Sequence, residues 1–415
     1  MRLFRQIVLG KDSERSFSLR QLLSTTPSFI LIGLSIFCFV AFQYYGHANY
    51  RNPTSYFFDP SRAYERIYST KRIEEADAFI KAAANVSRPE ELSQQPPVIC
   101  IGIATIARRD EQYVRTTIGS LLEGLSDEQR RSIYLNLFIA HTDPSKHPIY
   151  EEKWVQTLPN NLLKYEQANT TLIRTWEDGG WYRNKTIFDY TYLLRDCYDT
   201  GARYIAMFED DTLAVRGWYP RVVQALQDVE TAMRRRPAQK WIYLRLFYVE
   251  GLLGWNSEDW AKYLFWSFAT WLVVSGCLLG ARTRSRRLQM LLSNASIATI
   301  ACICLPALIG LHFLAGPSPL APGIHEMNKY GCCSQGYVFP REIVEPFLQK
   351  TDLVTDWLVD MMVEKIADEQ GYIRWATVPD LLQHIGTLSS KGWGFDESAK
   401  TLWNFGFELH DGVKT

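Results

Sequence analysis

Three long hydrophobic segments divide this chain of 415 residues. They cover residues 28–45, 263–280 and 297–315, and none of them contains Asp, Glu, Lys or Arg. An apolar stretch of roughly 18 residues is long enough to cross a bilayer as a helix. We therefore predict one transmembrane helix near the N-terminus and a later hairpin of two, spanning 261–315 with a turn at 281–296. A pair of buried core helices is the alternative explanation of the hairpin.

Positively charged residues beside these segments indicate their orientation. Five basic residues precede the first segment, and four arginines lie in the turn of the hairpin: Arg282, Arg284, Arg286 and Arg287. Because the cytosolic flanks of membrane helices are enriched in Lys and Arg, residues 1–27 and the turn are predicted to be cytosolic. No convincing small-residue cleavage site follows the first segment, so we interpret it as a retained signal anchor. A cleaved signal peptide is the alternative.

This orientation puts the two remaining parts of the chain, 46–260 and 316–415, on the same non-cytosolic side. They can fold together as one domain that the hairpin interrupts. We expect a stem at 46–95, a first part of the domain at 96–260 and its second part at 316–415.

Four cysteines outside the hydrophobic segments agree with an oxidising compartment. They are Cys100, Cys197, Cys332 and Cys333. Two disulfides are possible, and one of them could join the adjacent Cys332 and Cys333. The sequence leaves the pairing open.

Short apolar runs in the non-cytosolic part predict an α/β fold. Residues 98–105 and 133–140 have the apolar, β-branched composition of buried parallel strands, and 111–125 between them has apolar residues at helical spacing. Strand, helix, strand is the opening of a Rossmann-like nucleotide-binding half. No glycine-rich phosphate loop is present, so basic residues would have to bind a diphosphate. Arg108 and Arg109, directly after the first strand, are candidates, although they could equally be a surface pair.

Three adjacent acids, Glu209, Asp210 and Asp211, follow the apolar run 204–208, which we predict to be a buried strand. Such acids repel one another unless a cation lies among them, and hard divalent ions prefer carboxylate oxygens. Open α/β sheets also bind ligands at the carboxyl ends of their strands. We predict Asp211 as a direct metal ligand, Glu209 as a metal or ribose ligand, and Asp210 on the nucleotide side. A solvated acidic turn is the alternative.

Lys185 and Asp189 are four residues apart in a predicted helix and therefore share one face. Lys185 could contact a phosphate group, and Asp189 could accept from a uracil or ribose. The alternative is a structural ion pair between the two.

The C-terminal part adds further candidates. His384, in a predicted loop, suits a third metal ligand, and Lys391 after it suits a diphosphate clamp. Asp352, Asp356 and Asp360 would share one stripe of a predicted helix, and Asp356 is our candidate for the base that deprotonates an acceptor hydroxyl. A solvated helix face is the alternative for this stripe.

Composition narrows the class of protein only slightly. The formal net charge is +0, so nothing suggests a nucleic-acid partner. The 13 Trp, 22 Tyr and 21 Phe suit membrane interfaces and sugar-stacking sites equally well.

Taken together, these motifs resemble GT-A glycosyltransferases, and within them the N-acetylglucosaminyltransferase IV group. The resemblance is carried by 103–109, by Lys185 with Asp189, by 209–211 and by 384–390. Acidic triplets alone are common. Combined with an N-terminal anchor and a hairpin inside the domain, the pattern more specifically resembles the Golgi family that adds N-acetylgalactosamine to GPI-anchor glycans.

The resemblance implies a GT-A fold split by the hairpin, a UDP-sugar donor and a Mn²⁺ ion. It also places Thr105 among the donor-binding residues and makes the first mannose of protein-linked GPI glycans the acceptor, in the Golgi membrane. Galactose could replace N-acetylgalactosamine as the transferred sugar. A glycosyltransferase acting on N-glycans and a catalytically inactive membrane adaptor are the alternative functions.

Overall fold

The computed structural model describes residues 25–83, 96–318, 320–327, 332–351, 357–387 and 400–410. The chain forms two compact units, each assembled from two separate stretches of sequence. One unit comprises Met1–Asp59 and Leu253–Pro317, and the other comprises Pro60–Leu252 and Ser318–Thr415.

The first unit contains three helices that are long and apolar enough to cross a membrane. They are Thr26–Ala48, Trp260–Arg284 and the stretch Asn294–Ala315. Each includes one of the three predicted hydrophobic segments and extends a few residues beyond it. A short helix, Arg286–Leu291, lies in the arginine-rich turn. The prediction of three candidate membrane helices is confirmed.

The third of these helices changes its hydrogen-bond pattern in the middle. Ile300–Cys304 is π-helical and runs into Leu305–Ala315, whose second residue is proline. Pro306 has no N–H to donate to the carbonyl five residues before it, that of Ala301. The indole Nε1 of Trp271 donates to this carbonyl at 2.7 Å. Trp271 therefore satisfies a backbone group that would find no partner in a lipid environment.

The second unit is built on a mixed β-sheet. In chain order its strands are β1 (Ile99–Thr105), β2 (Ile133–Ile139), β3 (Asn161–Leu163), β4 (Tyr204–Glu209), β5 (Thr212–Ala214), β6 (Trp241–Arg245), β7 (Gly323–Glu326), β8 (Gly336–Pro340), β9 (Ile373–Val378) and β10 (Leu382–His384). Among the described residues, eight strands pair in the order β3-β2-β1-β4-β8-β6-β9-β7, and β5 pairs with β10 in a small separate sheet.

The parallel part of the sheet is the strand–helix–strand unit expected from sequence. Strands β3, β2, β1 and β4 are all parallel, whereas β8 is antiparallel to both of its neighbours, β4 and β6. The predicted α/β class is therefore confirmed as a mixed α/β unit with a mostly parallel sheet.

Helices cover both faces of the sheet, which explains why its strands are almost uniformly apolar. Ile99, Ile101 and Ile103 point into one core, and Cys100 between them points into the other. The helices of this unit are Pro60–Ala63, Tyr68–Ala83, Val114–Leu122, Asp127–Arg131, Lys153–Thr157, Gln167–Gly179, Tyr182–Asp199, Trp218–Arg234, Arg341–Leu348 and Val359–Gln370.

Two disulfides answer the pairing question that the sequence leaves open. Cys100 in β1 bonds to Cys197 in the helix Tyr182–Asp199, and Cys332 bonds to Cys333. The first closes a loop with a sequence separation of 97 residues. It therefore ties a central strand to the helix that covers it.

The expected stem differs from the structure. Tyr68–Ala83 is a helix whose buried face packs into the α/β unit. Its Arg72 is fully buried and donates to the backbone oxygens of Ser120 and Ala214, at 2.6 and 2.9 Å. Residues 60–83 thus belong to the folded unit. The prediction of a stem failed here because the partners of Arg72 lie far from it in the sequence, at Ser120 and Ala214.

Gly119 lets this helix approach the helix Val114–Leu122. A Cβ built on Gly119 would lie 2.5 Å from the backbone oxygen of Ala76. Backbone cannot retract as a flexible side chain can, so we expect Gly119→Ala to lower stability by about 1–3 kcal/mol. Thermal denaturation of the detergent-solubilised protein would measure this.

Gly251→Ala is the matched control, because its Cβ would meet only Val249, at 4.0 Å. Equal melting temperatures for Gly119→Ala and the control would contradict the close packing.

Candidate active site

A cavity of about 620 Å³ opens at the carboxyl ends of β1 and β4. This is the edge at which α/β sheets bind their ligands. The cavity is lined by Ala104, Ile106, Arg108, Ala140, Thr186, Asp189, Tyr190, Leu193, Met207, Phe208, Glu209, Asp210, Asp211, Cys333, Ser334, Gln335, Leu358, Val359, Asp360, His384, Gly386 and Leu402.

The three acids after β4 have different environments. Asp210 is enclosed by cationic and hydroxyl donors: both Nη atoms of Arg108 donate to it, at 2.7 and 2.8 Å, and Thr105 Oγ1 donates at 2.6 Å. Burial opposes the charge of Arg108, but Asp210 outweighs it and raises the pKa of the guanidinium. Asp210 is thus neutralised by the protein itself.

Glu209 and Asp211 instead meet His384. Their ligand atoms all lie within 4.8 Å of one another, and His384 Nε2 is 3.5 Å from Asp211 Oδ2. His384 is not in a loop, as its sequence context predicts, but ends β10 opposite Thr212 of β5. The pairing of these two short strands holds the histidine beside the acids.

Burial and like charge set the ionisation of this pair. Burial, followed by the charge of Asp211, raises the pKa of Glu209 to about 7. Burial also disfavours the charged form of Asp211, but the nearby His384 and Arg108 lower its pKa to about 2. The Oγ of Ser334 donates to Glu209 Oε1 at 2.5 Å and orients that carboxylate.

These residues fit a divalent cation. In the part of the chain that the structure describes, the buried Oδ1 of Asp211 has no hydrogen-bond partner. An unpartnered buried carboxylate oxygen is costly unless a cation or water satisfies it. Two carboxylates and one imidazole form a donor set that suits Mn²⁺ and similar ions. The predicted ligands Glu209, Asp211 and His384 are therefore brought together.

Lys185 and Asp189 form the ion pair that was the structural alternative for them. Lys185 Nζ lies 2.6 Å from Asp189 Oδ2, and it also donates to the Ala140 carbonyl at 2.7 Å and the Tyr165 hydroxyl at 2.8 Å. An ammonium group has three donors, so these contacts use all of them. Asp189 lines the cavity, whereas Lys185 is buried behind it.

Three further residues that the sequence suggests for the site are Arg109, Asp356 and Lys391. Arg109 is exposed, in contrast to the buried Arg108. Asp356 and Lys391 lie outside the described residues, so their roles stay predictions.

The expected stripe of three acids on one helix is wrong in one respect. The helix begins at Val359, after an extended Leu358, so Asp360 cannot continue a helix from residue 352. Asp360 accepts instead from the backbone N–H of Cys333, at 3.2 Å.

Four further polar residues of the cavity are not among the candidates predicted from sequence: Thr186, Tyr190, Ser334 and Gln335. Ser334 and Gln335 lie in the stretch of cysteines, small residues and glycine just before β8, whose composition was the only signal. Tyr190 lies one helical turn after Thr186, on the cavity side of the helix Tyr182–Asp199.

Comparison with known proteins identifies the family of this chain. A protein-family model matches residues 99–383, from the first residue of β1 into β10 and over well more than half of the chain. No curated protein matches significantly. The family match defines the class: the chain is a glycosyltransferase. More specifically, it belongs to the family described as GPI-N-acetylgalactosamine transferase PGAP4.

Gly386 permits the position of the Asp211 carboxylate. A Cβ on Gly386 would lie 2.3 Å from Asp211 Oδ2. Gly386→Ala should therefore displace this oxygen and weaken divalent-cation binding by about tenfold or more. Titration with Mn²⁺, followed by electron paramagnetic resonance of the free ion, would measure the loss. Gly251→Ala is again the control, and unchanged affinity in Gly386→Ala would argue that Asp211 is not a ligand.

Lys185→Met should leave the Asp189 carboxylate buried without its cation. Removing one partner of a buried pair typically costs about 3–5 kcal/mol, and we expect that loss in thermal denaturation. Adding Asp189→Asn should recover part of it, because the uncompensated charge is then gone. A Lys185→Met protein of wild-type stability with a raised KM for the donor would instead support the phosphate-binding interpretation.

Proposed function

We propose that this protein transfers N-acetylgalactosamine from a UDP-linked donor to the first mannose of GPI glycans on proteins, in the Golgi lumen. Membership of the GPI-N-acetylgalactosamine transferase family supplies the reaction class. The observation that carries the rest is the cluster of Glu209, Asp211 and His384 in a cavity of about 620 Å³.

The sheet supports a GT-A assignment. Strands β3, β2, β1 and β4 form a parallel, Rossmann-like half, and the acidic residues follow the strand where parallel pairing gives way to the antiparallel β8. Nucleotides bind at such carboxyl edges in α/β folds. We therefore propose that the cavity above β1 and β4 receives the UDP-sugar.

Glu209, Asp211 and His384 would hold the divalent cation, which we propose to be Mn²⁺. Bound there, the cation would supply positive charge to the diphosphate of the donor, where negative charge grows as the sugar bond breaks. Burial and the neighbouring charge of Asp211 raise the pKa of Glu209, and a cation bound between the two carboxylates would offset both effects.

The other residues of the site position these ligands. Arg108 keeps Asp210 neutralised and reaches Asp211 Oδ2 at 3.0 Å, so it limits the repulsion along the triplet. Ser334 fixes one oxygen of Glu209. Thr105 stays a donor-side residue in our proposal, acting through Asp210, and Asp356 stays the proposed base for the acceptor hydroxyl.

The candidate membrane helices suit a GPI acceptor. A GPI glycan is attached to lipid, so it lies at the membrane surface. An enzyme tethered there by membrane helices meets its acceptor at a high effective concentration. With the basic N-terminus and hairpin turn in the cytosol, the acidic cluster would face the lumen, where GPI glycans are exposed.

The test is the mass of the GPI glycan in cells that lack this protein. The glycan is released from a purified GPI-anchored protein after adding back wild type, Asp211→Ala or the control Asp228→Ala, which removes an exposed acid on the helix Trp218–Arg234. We expect wild type and the control to restore one N-acetylhexosamine branch and Asp211→Ala to restore none.

Each other outcome has a defined meaning. Restoration of a hexose branch would make galactose the transferred sugar. An unchanged GPI glycan with altered N-glycans would overturn the acceptor assignment. Full rescue by Asp211→Ala would favour a non-enzymatic role.

A further inference from the structure

A second cavity, of about 430 Å³, adjoins the proposed donor cavity. His384 and Gly386 line both cavities. The chain at 384–386 is therefore the partition between them. A ligand in the second cavity would lie beside the residues that we propose hold the cation.

Two segments that are distant in sequence form the outer walls of this cavity. One wall contributes Tyr64 and Arg66, and the other contributes Lys400 and Trp403. The Tyr64 hydroxyl donates to the Lys400 carbonyl at 2.9 Å, which joins the walls directly.

A buried carboxylate reinforces this connection. Glu408 Oε2 accepts from the backbone N–H groups of Ile67, Tyr68 and Ser69, at 2.7, 2.9 and 3.2 Å. Because Glu408 follows Trp403 and these three residues follow Arg66, both walls are anchored at their bases. The cavity is thus a built feature rather than a gap between loose segments.

Arg66 is held in this cavity by an aromatic ring. The Arg66 guanidinium lies 5.0 Å from the ring centre of Trp403, a cation–π contact that positions the group but leaves its charge in place. Within the described ranges, neither Arg66 nor Lys400 has a carboxylate in ion-pair distance. Arg72, Arg108 and Arg245 of the same unit all have one.

Two cations in a concave site, with no carboxylate partner among the described residues, favour an anion, and aromatic walls favour the apolar face of a sugar ring. Trp403 is almost fully buried and Tyr64 is half-buried, so both present fixed surfaces. A phosphate ester on a glycan combines the two chemistries. GPI glycans carry such phosphate groups where they join inositol lipid and protein.

We propose that this second cavity binds the acceptor through a phosphate ester, with Arg66 and Lys400 as its anion-binding residues. The inference rests on the proposed function and adds to it the site and the chemistry that select the acceptor. Phosphate recognition here would bring the acceptor sugar to the partition at Gly386, next to the donor.

The test compares two acceptors with the full-length enzyme in neutral detergent. One is a GPI-anchored protein lacking the side branch, and the other is its glycan freed of phosphate with aqueous hydrogen fluoride. The variants are Arg66→Gln, Lys400→Gln and the double variant. Arg131→Gln is the control, an exposed arginine just before β2 and hence at the opposite edge of the sheet.

We expect each single variant to raise KM for the phosphate-bearing acceptor roughly tenfold, because each removes a charge-assisted hydrogen bond to the phosphate. The KM for the phosphate-free glycan should change far less, and kcat should stay near that of the control. Melting temperatures verify that the variants are folded.

Several results would overturn the inference. Equal changes for both acceptors, or none, would exclude phosphate recognition at these residues. A loss seen only in vesicles containing anionic phospholipid, and not in detergent, would assign the cations to membrane headgroups. Absence of transfer by the wild type to either acceptor would instead refute the proposed function itself.

Discussion

The crowding of three carboxylates at the end of β4 is the constraint on which the site depends. The protein relieves it asymmetrically: both Nη atoms of Arg108 and the Thr105 hydroxyl donate to Asp210, and one Nη atom also reaches Asp211. Glu209 and Asp211 face His384. Like charges this close and this deeply buried cannot both ionise freely. The short pair of strands β5 and β10 and the glycine at 386 serve this arrangement, because they bring His384 close without filling the space beside Asp211.

Much of the fold follows from local sequence, and the departures have a common cause. Short apolar runs predict β1, β2 and β4 to within a residue or two, and charge-free segments predict the membrane helices. The contacts of Lys185 could not be predicted from local sequence. The Ala140 carbonyl and the Tyr165 hydroxyl, which accept hydrogen bonds from its ammonium group, are brought near it only by the fold. The four-residue spacing of Lys185 and Asp189 therefore indicates that the two side chains are adjacent on a helix. It does not indicate whether a ligand can reach them.

The same limit applies to the other corrections. The expected stem contains a helix that belongs to the core, since the partners of Arg72 lie at Ser120 and Ala214. The disulfide pairing depends on which strand a helix covers, which no spacing of cysteines reveals. The grouping of Glu209, Asp211 and His384 was more accessible to prediction, because adjacent carboxylates at a strand end and a histidine are unusual enough to be noticed separately.

The position of β8 has a consequence for how this protein is made. This strand lies between β4 and β6 in the sheet, yet its residues are translated only after both helices of the hairpin. Until β8 is made, β4 and β6 are not hydrogen-bonded to each other. The apolar strand edges that will pair with β8 therefore have no partner. If the hairpin crosses the membrane as we propose, it must cross and return before β8 can reach β4 and β6. In the proposed topology, a hairpin that fails to insert would keep β8 away from these two strand edges and leave them unpaired.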